Sequence, residues 1–250
     1  CILNSISKIS LISSEMRNEI ISLIFSHGGF QSILKVIQKV GINEENISVY
    51  SHFLLNMSLS LYPTVVFYED LFECFDCLIQ SSYHSVLAVI SRILKNILYH
   101  ISQPSDILNQ EQISQIFESI SNHLLIENLY LNIDNDPETT KYTLIVLGLF
   151  RYHCDISDLI DINMILDYIN STDIDIIICS SRCFSDFCIV DGDFGSKMFS
   201  LEYFYRLIEI YHSLSFDRKL DFVFQIVTLA SIAPVDQLFL LCKNDTATQN

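Results

Sequence analysis

The stretch Asp175–Cys188 reads DIIICSSRCFSDFC, and an earlier stretch, Ser85–Leu98, reads SVLAVISRILKNIL. In both, apolar residues recur at intervals of three and four and cover most of the helix circumference. This pattern is typical of a helix that is buried on most sides. The same pattern returns in three further stretches, which are Ile47–Ser58, Thr143–Tyr152 and Leu220–Ala230. The sequence therefore predicts five long, largely buried helices.

These five long helices are spaced almost regularly along the chain. When they are aligned on a common position, that position holds Asn56, Asn96, Leu149, Asp186 and Thr228. The intervals between these residues are 40, 53, 37 and 42 residues. Such intervals are typical of helical repeats, in which each repeat buries its apolar side against its neighbours. The longest interval predicts an inserted turn or a lengthened helix around Glu111–Leu131.

Shorter amphipathic segments separate the long helices. They predict helices at Ser14–Ser26, Phe30–Val40, Phe67–Gln80, Gln112–Glu127, Asp161–Asn170, Leu201–Ser213 and Val235–Cys242. Breaks in the pattern coincide with all four prolines and with five glycines, which are Gly28, Gly29, Gly41, Gly192 and Gly195. Gly148 lies inside a predicted helix, which indicates a close approach at that point. We predict an all-α fold with one domain of about five repeats over residues 1–243 and a polar tail at residues 244–250.

The composition favours a soluble protein with a large apolar core. Half of the residues are hydrophobic and only 18% are charged, which argues against disorder. No apolar run reaches the roughly 18 residues of a membrane-spanning helix, so we expect no membrane partner. The formal net charge of −16 disfavours nucleic acid, because phosphate binding needs clustered lysines and arginines. Many acids precede predicted helices, where they cap the helix; the remaining acids leave a basic partner open.

The cysteines and the first residue bear on the location of the protein. The eight cysteines lie on apolar faces without the spacing of a disulfide framework, which is typical of reduced thiols. We therefore expect a cytoplasmic or nuclear location. No signal peptide is evident, and the chain begins at Cys1 rather than methionine, which indicates an incomplete N-terminus.

No motif predicts catalysis, a metal site or a cofactor. Cys74 and Cys77 form a CxxC inside a predicted helix that also carries Glu73 and Asp76, and these acids should raise the pKa of both thiols. The segment Asp193–Gly195 spells the kinase metal motif, but no glycine-rich loop or catalytic-loop motif accompanies it. The seven histidines are dispersed without ligand spacing. We therefore predict a protein that is not an enzyme and needs no cofactor.

The pattern of helices resembles that of armadillo repeats, which have a short first helix, a glycine turn, a second helix and a long third helix. Asn18–Phe30 (NEIISLIFSHGGF) resembles the first helix and its turn, and Ser32–Gly41 (SILKVIQKVG) resembles the second. Asp175–Cys188 resembles the third, with Ser180 and Cys183 at its small core positions. The resemblance spans residues 14–243. It implies an armadillo-like α-solenoid, a right-handed superhelix of stacked repeats; HEAT repeats are the near alternative.

The resemblance also implies a binding surface. In importin-alpha-type repeats, a Trp and an Asn position of each third helix line a concave groove that holds an extended basic peptide. The Trp positions correspond here to His52, Arg92, Ile145, Arg182 and Phe224, and the Asn positions to Asn56, Asn96, Leu149, Asp186 and Thr228. The eight residues other than Ile145 and Leu149 are the candidate groove residues. The chain contains no Trp. Arg92 and Arg182 would repel a basic peptide and could pair with carboxylate or phosphate groups; alternatively, they are solvated or pair with neighbouring acids.

We therefore expect a non-catalytic scaffold that binds an extended segment of a partner protein along its concave face, through these eight residues. The alternative is a helical regulatory or scaffolding subunit that docks by its convex face or its ends. A nuclear-import cargo adaptor is less favoured, because the Trp residues of such a site are missing. The pattern leaves open whether the groove takes basic or acidic segments, and it makes no prediction of oligomeric state.

Overall fold

A computed structural model describes residues 14–41, 43–59, 65–80, 85–103 and 107–237, and within these ranges the chain forms helices and turns but no strand. The helices are α1 (Ser14–Ser26), α2 (Gly29–Val40), α3 (Glu44–Met57), α4 (Val65–Ile79), α5 (Ser85–Ile101), α6 (Gln110–Asn122), α7 (Leu125–Leu131), α8 (Pro137–Arg151), α9 (Ile162–Asp167), α10 (Ile174–Val190), α11 (Gly192–Met198), α12 (Leu201–Ser213) and α13 (Phe216–Ile232). A short 3₁₀ helix, Tyr168–Asn170, follows α9. The five long helices predicted from the sequence are confirmed as α3, α5, α8, α10 and α13. The prediction that each is buried on most sides is wrong for α13, because Phe216, Leu220 and Phe224 are exposed.

Two predicted features fall mainly outside these ranges. Only the first three residues of the predicted helix Val235–Cys242 are described, and the tail at residues 244–250 is not. None of the described helices is long and apolar enough to cross a membrane.

The chain divides into two compact units, Cys1–Val146 and Leu147–Asn250. In the first unit α3 packs on α5, α2 packs on α4, and α4 packs on α6. The side chains of Phe53, Phe72 and Ile90 are fully buried in this unit. The Ser91 and Thr143 hydroxyl oxygens lie 3.2 Å apart and connect α5 with α8. Long helices thus pack on long helices, as stacked repeats require.

The second unit is built around α10, which packs against α9, α11 and α13. Ser180, Cys183 and Phe184 are buried, as their core positions predict. The Ser180 hydroxyl donates a hydrogen bond to the backbone carbonyl of Ile165, 2.5 Å away. Small residues on α10 therefore let its neighbours approach closely, and the buried Ser180 hydroxyl keeps a hydrogen-bond partner.

Acidic residues begin several helices, as the sequence predicts. The Asp136 carboxylate accepts hydrogen bonds of 3.0 Å from the backbone N–H groups of Glu138 and Thr139 at the start of α8. The Asp173 carboxylate accepts one of 2.8 Å from Asp175 at the start of α10. These bonds satisfy N–H groups that have no partner within the helix. Part of the acid excess is therefore structural.

The predicted helix Gln112–Glu127 is wrong as a single helix, because the chain breaks between α6 and α7. Leu124 adopts a left-handed backbone with φ of 50° at the break. The break lets the His123 ring pair with Asp76 on α4, while the next turn buries Leu125, Ile126 and Leu129. Tertiary contacts therefore override a continuous helical pattern. The turn that the long interval predicts around Glu111–Leu131 is confirmed.

The sequence predicts that Gly192 and Gly195 both mark breaks between helices, and this is wrong for Gly195. Gly192 begins the short helix α11, and Gly195 lies inside it. A Cβ atom at position 195 would lie 2.7 Å from Ile232 Cδ1 and 2.9 Å from Cys188 Cβ. Glycine is therefore needed here for close helix packing rather than for a turn.

Candidate functional site

The first unit has a shallow cavity of about 150 Å³ between its long helices, here called the α3–α5 depression. Its sides are formed by α3 and α5, whose buried faces pack on each other and leave the opposite faces open. Its lining includes Ser51, His52 and Leu55 from α3, Ala88 and Arg92 from α5, and Tyr142 from α8. His52 and Arg92, which the sequence predicts as groove residues, thus lie at the same depression.

Two cations flank the aromatic ring of Tyr142. Arg92 Cζ lies 5.8 Å and Lys95 Nζ lies 5.6 Å from the ring centroid, and both distances fit a cation–π interaction. Lys95 was not predicted as a site residue. Its spacing of three residues from Arg92 on one helix is a signal that could have revealed it, because such residues share a helix face.

The depression is electropositive. Among the residues that the structure describes, neither Arg92 nor Lys95 makes an ion pair. Glu138 also lines the depression, but its Oε1 atom accepts a 2.6 Å hydrogen bond from Lys141 Nζ. Burial and the nearby charge of Arg92 lower the pKa of Lys95. The charges at this depression are therefore unbalanced within the described part of the unit.

The pKa of His100 is also lowered, by burial and then by nearby positive charge. Burial lowers the pKa of His100 on α5, and the positive charges of Lys95 and Arg17 lower it further. Each of these charges disfavours a proton on the imidazole ring. The positive region of the first unit therefore extends from the depression toward the end of α5.

The two Asn positions of the first unit lie deeper than the Trp positions. Asn56 is 5% exposed, and its Nδ2 atom donates a 2.9 Å hydrogen bond to the backbone carbonyl of His52 on its own helix. Asn96 is half-buried, and its Nδ2 atom lies 3.4 Å from the Ser58 hydroxyl oxygen. Asn96 is thus the more accessible of the two amides.

In the second unit, the corresponding position on α10 is occupied by a nearly buried carboxylate. Asp186 is 7% exposed, and its Oδ1 atom accepts a 2.9 Å hydrogen bond from the Tyr152 hydroxyl. A Cβ atom at Gly148 would lie 2.6 Å from Oδ2, so glycine makes room for this carboxylate. This contact confirms the close approach that the sequence predicts at Gly148. Arg182 is exposed and lies one helical turn before Asp186.

Burial dominates the electrostatics of this carboxylate. It raises the pKa of Asp186, although the Tyr152 hydrogen bond and the Arg182 charge act in the opposite direction. Burial and the negative charge of Asp186 in turn raise the pKa of Tyr152. While it is ionised, the Asp186 carboxylate can accept a hydrogen bond from a partner but cannot donate one. The nearby cation is Arg182.

The last two predicted residues lie on α13. Phe224 is 58% exposed and Thr228 is 8% exposed. Four residues at the five predicted Trp positions are therefore exposed and the fifth, Ile145, is half-buried, whereas those at the Asn positions are buried or half-buried. Phe224 belongs to a row of exposed apolar residues on α13 that also includes Phe216, Leu220, Val223 and Val227.

A larger cavity, the α9–α12 groove, was not predicted. It has a volume of about 760 Å³ and lies between α12 and the segment formed by α9 and its 3₁₀ helix. Tyr203, Tyr205 and Arg206 contribute to its lining. The charge of Arg206 is balanced by Glu209, at 3.1 Å. The sequence signal was the run Tyr203–Arg206, which places three aromatic rings and a cation within one turn.

Within the described ranges, burial makes the thiols of Cys74, Cys77 and Cys188 harder to ionise. Burial raises the pKa of Cys74, which is fully buried. Burial and then the charges of Asp76 and Glu73 raise the pKa of Cys77, in the direction that the sequence predicts. Burial raises the pKa of Cys188 to about 12. In the described ranges, no group of three or more histidine, cysteine or acidic side chains could hold a metal ion.

Comparison with known proteins identifies the fold. No family model matches the sequence, and no curated protein does. Among solved structures, the chain is similar to a designed armadillo repeat protein in complex with the peptide (KR)4, with a TM-score of 0.66, 12% identity and 91% of each chain covered. Computationally designed armadillo repeat proteins for modular peptide recognition give a TM-score of 0.66 at 13% identity, with 93% of this chain and 92% of that chain covered.

The chain has an armadillo-like α-solenoid fold. An engineered protein supports the same conclusion, with a TM-score of 0.63, 15% identity, and coverage of 92% of this chain and 90% of that chain. At these identities the similarity concerns the fold alone. The helices that the sequence predicts as third helices of successive repeats are α3, α5, α8, α10 and α13.

Proposed function

We propose that this protein is a non-catalytic scaffold that binds an extended segment of a partner protein along the third helices of each unit. Two armadillo designs that it resembles in fold are related to peptides: one forms a complex with (KR)4, and the other was made for modular peptide recognition. The observation that carries the proposal is the difference in exposure between the two sets of predicted groove residues: four of the five Trp positions are exposed, whereas the five Asn positions are buried or half-buried and four of them hold polar residues.

This difference in exposure suits an extended segment. The exposed side chains at His52, Arg92, Arg182 and Phe224 would contact side chains of the partner. The half-buried amide of Asn96 carries both a donor and an acceptor, so it could pair with the partner backbone. Each contact would be weak, and the affinity would be spread over several repeats.

A second candidate is a regulatory or scaffolding subunit that docks through the shorter helices α9 and α12 rather than along the long helices. The α9–α12 groove favours it, because it is the larger of the two cavities described above and is lined in part by half-buried aromatic side chains. Aromatic residues with an arginine are frequent at the energetic centre of protein interfaces. The Arg206–Glu209 pair already balances the charge there, so the groove offers less electrostatic selectivity than the α3–α5 depression.

Panning of a phage-displayed library of random peptides against the immobilised protein tests the proposal. Enriched peptides are then titrated by fluorescence anisotropy against two matched pairs of variants: Arg92→Ala with Arg206→Ala, and Tyr142→Ala with Tyr205→Ala. We expect the changes at Arg92 and Tyr142 to weaken binding by about fivefold or more, and the changes at Arg206 and Tyr205 to have little effect.

The reverse pattern would favour the second candidate. A library that yields no enriched peptide would contradict binding of extended segments altogether. Unchanged melting curves by circular dichroism would show that each variant remains folded.

A further inference from the structure

We propose that the segment bound at the α3–α5 depression is acidic, with Asp or Glu side chains that pair with Arg92 and Lys95 beside the ring of Tyr142. This inference rests on the proposed function and names the class of partner that one part of the site selects. It separates this depression from a groove for basic peptides.

Arg92 and Lys95 lack a local counter-charge within the described residues. The chain contains 30 acidic and 14 basic residues, so a lysine or arginine has many candidate acids to pair with. Lys141, Arg151, Arg206 and Arg218 all make ion pairs. Arg92 and Lys95 make none within the described residues, and neither do Arg182, Lys197 and Lys219. Arg92 and Lys95 share in addition their position beside the ring of Tyr142. A partner carboxylate would supply the missing charge.

The geometry of the two cations favours a carboxylate ligand. Both cationic groups lie within 6 Å of one ring centroid, so a carboxylate next to Tyr142 could reach both of them. Tyr142 also offers an apolar ring against which the stem of a Glu side chain could pack. The guanidinium of Arg92 can bind a carboxylate through two parallel N–H donors.

Negative charges of the protein itself compete with a partner carboxylate. Glu138 is the acid in the lining, and Lys141 holds its carboxylate. The lowered pKa values of Lys95 and His100 both reflect nearby positive charge as well as burial. The net negative charge of the chain comes from acids spread over the whole sequence. Salt at physiological concentration screens the charges of exposed acids that lie more than about 8–10 Å from the depression. Local charge at the depression therefore outweighs the net charge.

The test compares the charge of selected peptides between two proteins. The same random library is panned against the wild-type protein and against the double variant Arg92→Glu/Lys95→Glu, and Arg206→Glu serves as the matched control. Only peptides that lose binding to Tyr142→Ala are counted, which restricts the comparison to this depression. We expect wild type and control to enrich Asp and Glu, and the double variant to enrich Lys and Arg.

A direct measurement follows on the tightest acidic peptide. Replacement of its Glu and Asp residues by Gln and Asn should weaken binding by about tenfold, because two exposed ion pairs contribute a few-fold each. The same loss is expected for the unchanged peptide against Arg92→Gln/Lys95→Gln, and added NaCl should weaken the acidic peptide alone.

Three results would overturn the inference. Peptides that bind at Tyr142 but are neutral or basic on average would overturn it while leaving the proposed function intact. An equal preference for acidic peptides in the wild type and the double variant would do the same. Failure to enrich any peptide would reject the proposed function, and the inference with it.

Discussion

Arg92 in the first unit and Arg182 in the second occupy the same position of their third helices, yet their surroundings are opposite in charge. Arg92 has Lys95 three residues later, and both cations approach the ring of Tyr142. Arg182 has Asp186 four residues later, and its charge lowers the pKa of that carboxyl against the effect of burial. The same residue type therefore lies near a second cation in one unit and near a carboxylate in the other, although neither arginine makes an ion pair within the described residues.

Two positions on neighbouring helices account for this difference. The residue that precedes the Asn position is Lys95 on α5 and Gly148 on α8. Lys95 adds a second positive charge to the surface. Gly148 has no side chain, and the Asp186 carboxylate fills the space that a Cβ atom would take. The charge beside Arg92 thus comes from its own helix, α5, whereas the space for the carboxylate near Arg182 comes from Gly148 on a different helix, α8.

The largest effect is expected when the space at Gly148 is filled. Gly148→Ala would place Cβ within 2.6 Å of Asp186 Oδ2, and the carboxylate would have to leave the Tyr152 hydroxyl. We expect a loss of about 1–3 kcal/mol in the free energy of unfolding, measured by urea denaturation.

The matched control is Gly192→Ala, because a Cβ atom there meets no atom within 4 Å. Alanine is favoured over glycine in helices, so this variant should be neutral or more stable by up to about 1 kcal/mol. Equal effects at both positions would show that Gly148 does not make room for Asp186.

A smaller effect is expected for Asp186→Asn, which replaces the carboxylate by the amide that Asn96 has in the first unit. The folded state raises the pKa of Asp186, so it binds a proton more readily than the unfolded chain, whose aspartates titrate near 3.9. The contribution of Asp186 to the free energy of unfolding therefore falls as the pH rises from about 3.9 through the raised pKa of the folded state. Asp186→Asn should be more stable than wild type at pH 7, and the difference should vanish at low pH.

Urea midpoints measured across that pH range check this prediction, with Asp193→Asn as the control for removal of one exposed acid. Asp193 lies on the surface of α11, so its replacement should leave the pH dependence unchanged. A variant at Asp186 that keeps the wild-type pH dependence would contradict the role of burial.

The smallest effect is expected from removal of one positive charge in each unit. Lys95→Gln should raise the pKa of His100, and Arg182→Gln should raise the pKa of Asp186, because each cation lowers the pKa of its neighbour. The shifts should be small, since both charges are partly solvated and screened. NMR titration of the two groups measures them directly.

The consequences for stability should differ in sign. Loss of Lys95 relieves repulsion of a protonated His100, whereas loss of Arg182 removes attraction to an ionised Asp186. Lys35→Gln and Arg206→Gln are the controls, because neither charge contributes to these two pKa shifts. Unchanged titration of His100 in Lys95→Gln would argue against a positive field at the α3–α5 depression.

Most of the helical pattern was predictable, and the exceptions have a common origin. Periodic apolar residues and the caps at Asp136 and Asp173 located the long helices. The same periodicity hid the break at Leu124, because the contact of His123 with Asp76 joins residues 47 positions apart. It also hid Gly195 inside α11, where the neighbouring side chain of Ile232 comes from another helix. Local patterns cannot report such distant contacts.

The candidate site was predictable in position but not in chemistry. Alignment of the repeats located His52 and Arg92, which line one depression. It did not identify Lys95 or Tyr142, because neither occupies a Trp or Asn position of the repeat. It also did not locate the α9–α12 groove, whose walls come from two different repeats.

The order of apolar and polar residues alone dictates where the long helices lie and that they stack as repeats, because burial of an apolar face depends on local periodicity. Packing between helices decides which polar side chains of those repeats are buried, paired or left open. Arg92 and Arg182 cannot be distinguished by position within a repeat. They differ because charge acts through space, and the neighbours that set it are brought together only in the folded chain.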